Sequence, residues 1–302
     1  MVTKRCQKPY PICFFIPQSP NFGWFHLLFL TYNHFIKPKP EKRKIQFFGY
    51  KKESKIQFDK FDSDKKFNPN KINFYSKDAS NKICELNISQ FNLENVKYTT
   101  LRRSDLINFL KKDLKNLIKT NYSISKIDQK NKNIKLTFEN KETFECDYLI
   151  VSDGVFSKCK NLISNDQFHP KYNNTLAIRG IISNSSNVID NKNISLFLNS
   201  NFHHVIYPVN KNGDLNFIAI MKYNLSNSEQ KNYGLFNDDD FIKKVFKKIP
   251  QESRKFFDEV REMKIFPVFV SNSYFKTKNN HIHFIGDAFF AFPPSFAQGA
   301  SQ

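Results

Sequence analysis

The sequence predicts an α/β fold, and three observations lead there. Two short apolar runs each end in a paired acid and glycine: Leu149-Ile150-Val151-Ser152-Asp153-Gly154 and Ile282-His283-Phe284-Ile285-Gly286-Asp287. An amphipathic helix opens near Ser104. A stretch of short strand-like runs, from Thr175 to Tyr223, separates the two acid–glycine pairs.

Composition bounds the reading. The chain has 302 residues, a prior of about two domains at roughly 150 residues each. Hydrophobic residues make up 40% and aromatics 16%, enough for a core and too much for wholesale disorder. With 8 glycines and no fixed repeat, collagen-like and solenoid architectures are excluded. Lys plus Arg number 47 against 28 acids, a formal charge of +19. The lysines are spread through nearly every segment, with no zinc-finger spacing, no RNP-like aromatic signature and no basic region feeding heptads. A solvated Lys-rich surface and no nucleic-acid partner are expected.

The five cysteines are odd in number and form no CxxC pair. They suit reduced thiols in a cytoplasmic protein. His281 and His283 alternate along one strand without a third ligand, so no metal site is expected. The most apolar stretch, Phe22 to Phe35, contains His26 and Asn33 and falls short of the about 20 apolar residues that span a bilayer. Pro9, Pro11 and Pro17 break the N-terminal apolar patch, which argues against a secretory signal and leaves room only for a peripheral membrane contact.

Each element follows from its pattern. Residues 1 to about 50 carry six prolines and sustain neither period. Lys71–Tyr75 and Ile83–Ile88 read as paired strands around a turn at Asp78 and Ser80. Ser104 caps a helix whose Leu106, Ile107, Leu110, Leu114, Leu117 and Ile118 share one face. A meander is expected over Tyr122–Ile127, Ile134–Phe138 and Thr143–Val151. Strands near 175–183, 193–198, 202–209 and 215–223 come next, followed by helices Asp238–Lys248 and Gln251–Arg261 separated at Pro250. Lys264–Val270 and His281–Ile285 are the last strands.

Three stretches carry chemistry. Asp153-Gly154 ends a buried strand at a tight turn, where an α/β fold presents backbone N–H groups and a carboxylate to ligands. Gly286-Asp287 does the same. Pro293-Pro294 follow it, and Gln298-Gly299-Ala300-Ser301 read as a helix start offering N–H groups to an anion or an electron-rich ring. Arg102-Arg103 head the amphipathic helix and supply fork donors. Each stretch alone is a common structural joint; a bare Asp-Gly is usually only a turn.

In this order, the three stretches resemble the FAD-dependent aromatic-ring monooxygenases of the para-hydroxybenzoate hydroxylase and ubiquinone-biosynthesis hydroxylase type. That family carries an Arg-x-x-Leu helix, here Arg103 to Leu106. It then has Asp-Gly with a Ser three residues on, here Asp153, Gly154 and Ser157. Last comes Gly-Asp-Ala followed by prolines and Gln-Gly, here Gly286-Asp287-Ala288 through Pro293 to Gln298-Gly299. The resemblance covers about residues 70 to 302.

The resemblance implies a partial Rossmann-like FAD-binding domain with an inserted mixed β-sheet substrate domain. Residues 1–50 stay unassigned, and 51–70 are a partial FAD domain or linker. Residues 71–100 and 165–265 build the substrate domain, and 101–164 and 266–302 the FAD domain. Arg103 would contact the flavin. Asp153 and Gly154 would support both FAD and the pyridine nucleotide, and Gly286 and Asp287 the ribityl or ribose hydroxyls. Gly299, Ala300 and Ser301 would point N–H groups at the isoalloxazine ring. Pro293 and Pro294 would line its substrate side, and His203, His204, Tyr207 and Pro208 would face the ring from the sheet. No protein nucleophile is needed. NAD(P)H reduces the flavin, O₂ adds to it, and the flavin hydroperoxide hydroxylates a small aromatic or prenylated phenolic substrate.

The departures are specific. None of the glycines forms the GxGxxG that cradles the FAD pyrophosphate, and no first strand is read before Glu41, the candidate for the adenosine ribose. Lys160 stands where the Asp-Gly motif usually has Arg. Phe290 replaces a frequent His, Phe296-Ala297 a Gly pair, and Ser301 an Asn. The sequence therefore reads as incomplete at both ends. The alternatives are a non-catalytic truncated remnant of the family, a flavin-dependent reductase of the same fold, or a basic binding protein.

Overall fold

The computed structural model describes residues 13–15, 58–76, 81–92, 97–114, 117–130, 133–164, 167–183 and 190–294. Its largest layer is a seven-stranded sheet. The strand order is Val260–Val270, Lys171–Ile182, Leu215–Lys222, Phe202–Pro208, Ile194–Leu198, Lys71–Tyr75 and Lys82–Asn87. All neighbours are antiparallel except Ile194–Leu198 beside Lys71–Tyr75. The sheet is thus α/β in context and mixed in direction, as expected.

The period of two along each strand decides the two faces. One face carries Ile178, Ile182, Phe197, Ile206, Phe217 and Ala219. Helices Asp239–Lys247 and Gln251–Phe257 cover it, contributing Phe241, Val245, Phe256 and Phe257 to one core. The other face carries Ala177, Val205, Tyr207, Ile218 and Ile220 and is also largely buried. Burial on both faces explains why Leu215-Asn216-Phe217-Ile218-Ala219-Ile220-Met221 reads as an apolar run rather than an alternation.

Helix Asp239–Lys247 forms where its charges demand. Asp238 caps it, accepting from the Phe241 N–H at 2.9 Å, and acids fill the first turn while Lys244 and Lys247 close the last. The next helix stops at Phe257, four residues before the expected Arg261, because the following strand already begins at Val260. That strand bulges between Arg261 and Lys264, with Glu262 at φ 51°. Gly180 lies opposite. A Cβ there would sit 2.1 Å from Val260 Cγ1 and 2.7 Å from the Arg261 carbonyl, so only glycine permits this approach.

A second, small sheet is fully parallel. Leu149–Val151 is its centre, with Ile282–Phe284 on one side and Cys13–Phe15 on the other. The strand Cys13–Phe15 corrects the expectation that nothing regular precedes residue 50. Three residues are too few for a period to register in sequence. Glu41 lies outside the described residues.

The meander comprises Ile124–Lys130, Asn133–Phe138 and Thr143–Cys146. The expected single strand Thr143–Val151 is two strands in two sheets. The chain breaks at Asp147-Tyr148, where the Asp147 carbonyl meets the His281 ring at 2.9 Å, and Leu149 then donates to the His281 carbonyl. The meander and the parallel sheet share a core of Ile134, Leu136, Cys146, Leu149, Val151 and Ile282.

The amphipathic helix is shorter than its pattern. It spans Arg103–Lys111 with Arg102, not Ser104, as the extended residue before it, and no side chain caps it. Leu106 is buried with Phe61 and Leu101, whereas Leu110, Leu114 and Leu117 are exposed. Among the described residues no helix is long and apolar enough to cross a membrane.

Candidate functional site

Two parallel strands build the first part of the site. Leu149 pairs with Ile282, Ile150 with His283 and Val151 with Phe284. Their carboxyl ends therefore lie side by side. Asp153-Gly154 and Gly286-Asp287 emerge there together, at the end of a parallel sheet where α/β folds take ligands. Gly154 has φ +83° and Gly286 φ +57°, left-handed conformations that favour glycine, and a Cβ on either would meet open space. The backbone at both turns is thus bare toward an approaching group.

Asp153 is held by its own loop. Its Oδ2 accepts from the Cys159 N–H at 3.1 Å, while its Oδ1 is buried without a hydrogen bond. Ser157 caps the short helix Lys158–Ile163, accepting from the Lys160 N–H at 3.3 Å. That helix start turns Lys160 inward, and it is buried. Burial lowers the pKa of its ammonium group, and the carboxylates of Asp153 and Asp287 oppose that shift. Lys160 is therefore a buried cation within electrostatic reach of both motif acids. Burial beside Asp153 raises the pKa of the Cys159 thiol, which keeps it protonated.

Pro293 and Pro294 follow Ala291, which is pinned by two hydrogen bonds to Ser271 at 2.9 Å each. Both prolines are half-buried. Gly299, Ala300 and Ser301 lie outside the described residues.

Arg103 does not join the two acids. It sits exposed at the helix start, where partial desolvation of the guanidinium lowers its pKa. Its charge is felt by Arg179, on the sheet face opposite the two helices. Arg179 is 8% exposed, and its guanidinium carbon stands 5.9 Å from the centre of the Phe266 ring. Burial, chiefly, lowers its pKa to about 10; the Tyr207 phenol opposes the shift and Arg103 adds to it. Tyr207 is buried on the same face, and its proximity also acts on the buried phenol of Tyr98. Tyr207 pairs across the sheet with Asn216. Asn216 Nδ2 lies beside the Tyr207 hydroxyl but outside hydrogen-bonding geometry. Next to Arg103, Arg102 binds the Asp214 carboxylate at 2.7 Å.

His204 is a correction. It was expected to face the same way as Tyr207, but three positions apart on one strand put them on opposite faces. The His204 ring lies 4.4 Å from Phe197 and 4.8 Å from Phe256, inside the core under the helices. Burial lowers its pKa to about 3, so it is neutral. His203 shares the Tyr207 face and is half-buried.

Of the residues expected around one flavin, the structure brings Asp153, Gly154, Gly286 and Asp287 together at adjacent strand ends, and it does not bring Arg103 or Tyr207 to them. Sequence reasoning missed Arg179 and Asn216. The signal for Arg179 was present: one arginine inside the run Leu176-Ala177-Ile178-Arg179-Gly180-Ile181-Ile182. A surface cleft of about 460 Å³ lined by Phe202, Met221 and Lys248 opens on the helix side of the sheet, away from both groups.

By sequence the chain matches no family profile and no curated protein. By structure it matches many solved proteins. One is HpxO of Klebsiella pneumoniae, solved with FAD and uric acid, at a TM-score of 0.64 and 12% identity, covering 78% of this chain and 61% of that one. CtdE, solved with FAD and a substrate, gives 0.65 and 15%, covering 79% and 62%. A salicylate hydroxylase complex gives 0.59 and 17%, covering 78% and 62%. The chain spans about three fifths of the length of these structures. Its fold is that of the FAD-dependent aromatic hydroxylases.

Proposed function

We propose that this chain is the FAD-binding and substrate-sheet core of a monooxygenase that hydroxylates a small aromatic ring, with NAD(P)H as reductant and O₂ as oxidant. The observation that carries the reading is the side-by-side emergence of Asp153-Gly154 and Gly286-Asp287 from adjacent parallel strands. The residues fit the cofactor. Both turns are bare of side-chain bulk, and Asp153 Oδ1 is a buried acceptor with no donor. FAD, when bound, would supply the redox chemistry of hydride acceptance and O₂ activation.

The chain's own residues position and shield. The Asp287 carboxylate accepts hydrogen bonds from ribityl or ribose hydroxyls. Asp153 and Gly154 serve the flavin and the pyridine nucleotide from the neighbouring strand end. Lys160 balances the two carboxylates, so the site does not present two unscreened negative charges to a diphosphate. Pro293 and Pro294 line the ring without donating hydrogen bonds. The amides of Gly299, Ala300 and Ser301, by the family resemblance, would be the donors to the electron-rich edge of the ring. The buried sheet face bearing Tyr207 excludes water from the reacting edge.

The test is reconstitution of the full chain with FAD. Retained flavin absorbance after gel filtration, lost in Asp287→Ala, is expected. Oxidation of NAD(P)H with matched O₂ consumption then separates a monooxygenase from a reductase of the same fold. A folded chain that retains no flavin overturns the reading.

A further inference from the structure

The cleft of about 460 Å³ lies at one end of the large sheet, on the side its two helices cover. That volume is in the range that holds a small organic ligand. Its floor is the cross-strand pair Phe202 and Met221, and Pro250, at the corner between the helices, adds an apolar wall. Its rim is polar and basic, with Asn199 from the turn between two strands and with Lys222 and Lys248. No acid lines it.

The cation at this rim has a fixed place. Lys248 follows helix Asp239–Lys247, and its Nζ stands 4.2 Å from the centre of the Tyr223 ring, whose face holds the ammonium against the sheet. Among the described residues neither Lys248 nor Lys222 forms an ion pair. Glu229 feels the charge of Lys248, but its carboxylate is already engaged by the Ser226 N–H at 2.7 Å. The carbonyls at the helix end are also engaged: Arg254 donates to those of Lys247 and Ile249 at 3.3 Å each, so they do not repel an anion unscreened. Asn199 Oδ1 accepts from the Ser200 N–H at 2.7 Å, which leaves its Nδ2 as the donor for a ligand.

We propose that this cleft binds a single-chain anionic amphiphile, a free fatty acid. The carboxylate accepts from Lys248 and from the Asn199 amide, and the chain lies on Phe202, Met221 and Pro250. A flexible thioether in the floor suits an unbranched, adaptable chain. The site is on the sheet face opposite Tyr207, so its ligand is not the ring to be hydroxylated, and the inference does not depend on the monooxygenase reading.

Equilibrium binding of octanoate, neutral octanamide and acetate to the full chain tests this, in about 0.15 M salt to screen the basic surface. Octanoate is expected to bind at least about threefold more tightly than octanamide, the scale of a partly exposed charged contact. Acetate, which lacks the chain, should bind severalfold more weakly than octanoate. Lys248→Gln should abolish the preference over octanamide. Lys135→Gln, exposed on the separate meander sheet, should preserve it. Should Lys248→Gln fail to fold, the wild-type comparison and Asn199→Ala, which should weaken octanoate binding, decide. Equal binding of octanoate and octanamide, acetate binding as tight as octanoate, a preference that survives Lys248→Gln, or one lost equally in Lys135→Gln overturns the site. So does Lys248-dependent cosedimentation with phosphatidylglycerol vesicles in the absence of octanoate binding, which makes this face a membrane contact instead. Flavin retention decides the monooxygenase reading separately.

Discussion

The seven-stranded sheet and the small parallel sheet divide the labour of this molecule. The large sheet is buried on both faces and holds the main core, from Phe217 and Ile178 to Phe256 and Val245 under two helices. The parallel sheet has strands of only three residues and borrows its core from the meander beside it. Yet the parallel sheet carries the paired acid–glycine turns. A short, parallel, in-register edge is enough to place two carboxylates and two bare backbone turns side by side. A broad sheet is what can bury a guanidinium. On the proposed reading, stability and ligand binding are concentrated in different regions, and that division can be broken by measurement.

The largest effect is expected in the large core. Phe256 is 1% exposed and packs on His204 and Phe197. Phe256→Ala should cost about 3–5 kcal/mol in chemical denaturation. If Asp287→Ala costs as much, the two regions are not separable and the comparison fails. Gly180→Ala comes next. Its Cβ would strike backbone at the bulge, and about 1–3 kcal/mol of destabilisation is expected.

The pH dependence sharpens the same contrast. His204 is neutral when folded, with a pKa lowered to about 3 by burial, but takes a proton below about 6.5 when unfolded. The unfolded state then binds more protons, so stability is full above about pH 6.5 and falls as pH drops toward 3. His204 should contribute a slope of up to about 1.4 kcal/mol per pH unit in that window. His204→Phe should remove one proton from that slope, measured by denaturation at several pH values. His203, whose pKa burial also lowers, should leave a residual dependence of the same sign.

Asp153→Asn probes the other region. It keeps the side chain's shape and its cap on the Cys159 N–H, so stability should change by no more than about 1 kcal/mol. Flavin affinity should nonetheless fall severalfold, read by fluorescence titration. The smallest effect is expected at the rim. Arg102 and Asp214 are both partly exposed, and Arg102→Ala should cost at most about 1 kcal/mol, diminishing in high salt.

Much of the large sheet was legible because its central strands, such as Leu215–Lys222, carry apolar runs between Asn- and Lys-rich turns. Ile194–Leu198 and Phe202–Pro208 fall within a residue or two of their expected bounds. The helix Asp239–Lys247 was legible from its charge gradient alone. Other features were not. Cys13–Phe15 is too short for a period to register, and its hydrogen bonds come from residues more than a hundred positions away. The division of Thr143–Val151 between two sheets leaves no mark in composition. The exposed Leu114 and Leu117 show that an apolar stripe predicts a helix face without guaranteeing a partner for it.

The sequence by itself determined the α/β class, the order of the Arg helix, the Asp-Gly turn and the Gly-Asp turn, and the apolar strands that build the core. These are local properties: a period, a turn residue, a cap. Only the tertiary structure decided that Asp153 and Asp287 both act on the buried Lys160, that His204 faces the helices while Tyr207 faces away, and that Arg179 feels the charge of Arg103. Each of those depends on register between segments distant in the chain. A one-residue shift in register would turn every side chain to the other face, and no local pattern records which register wins.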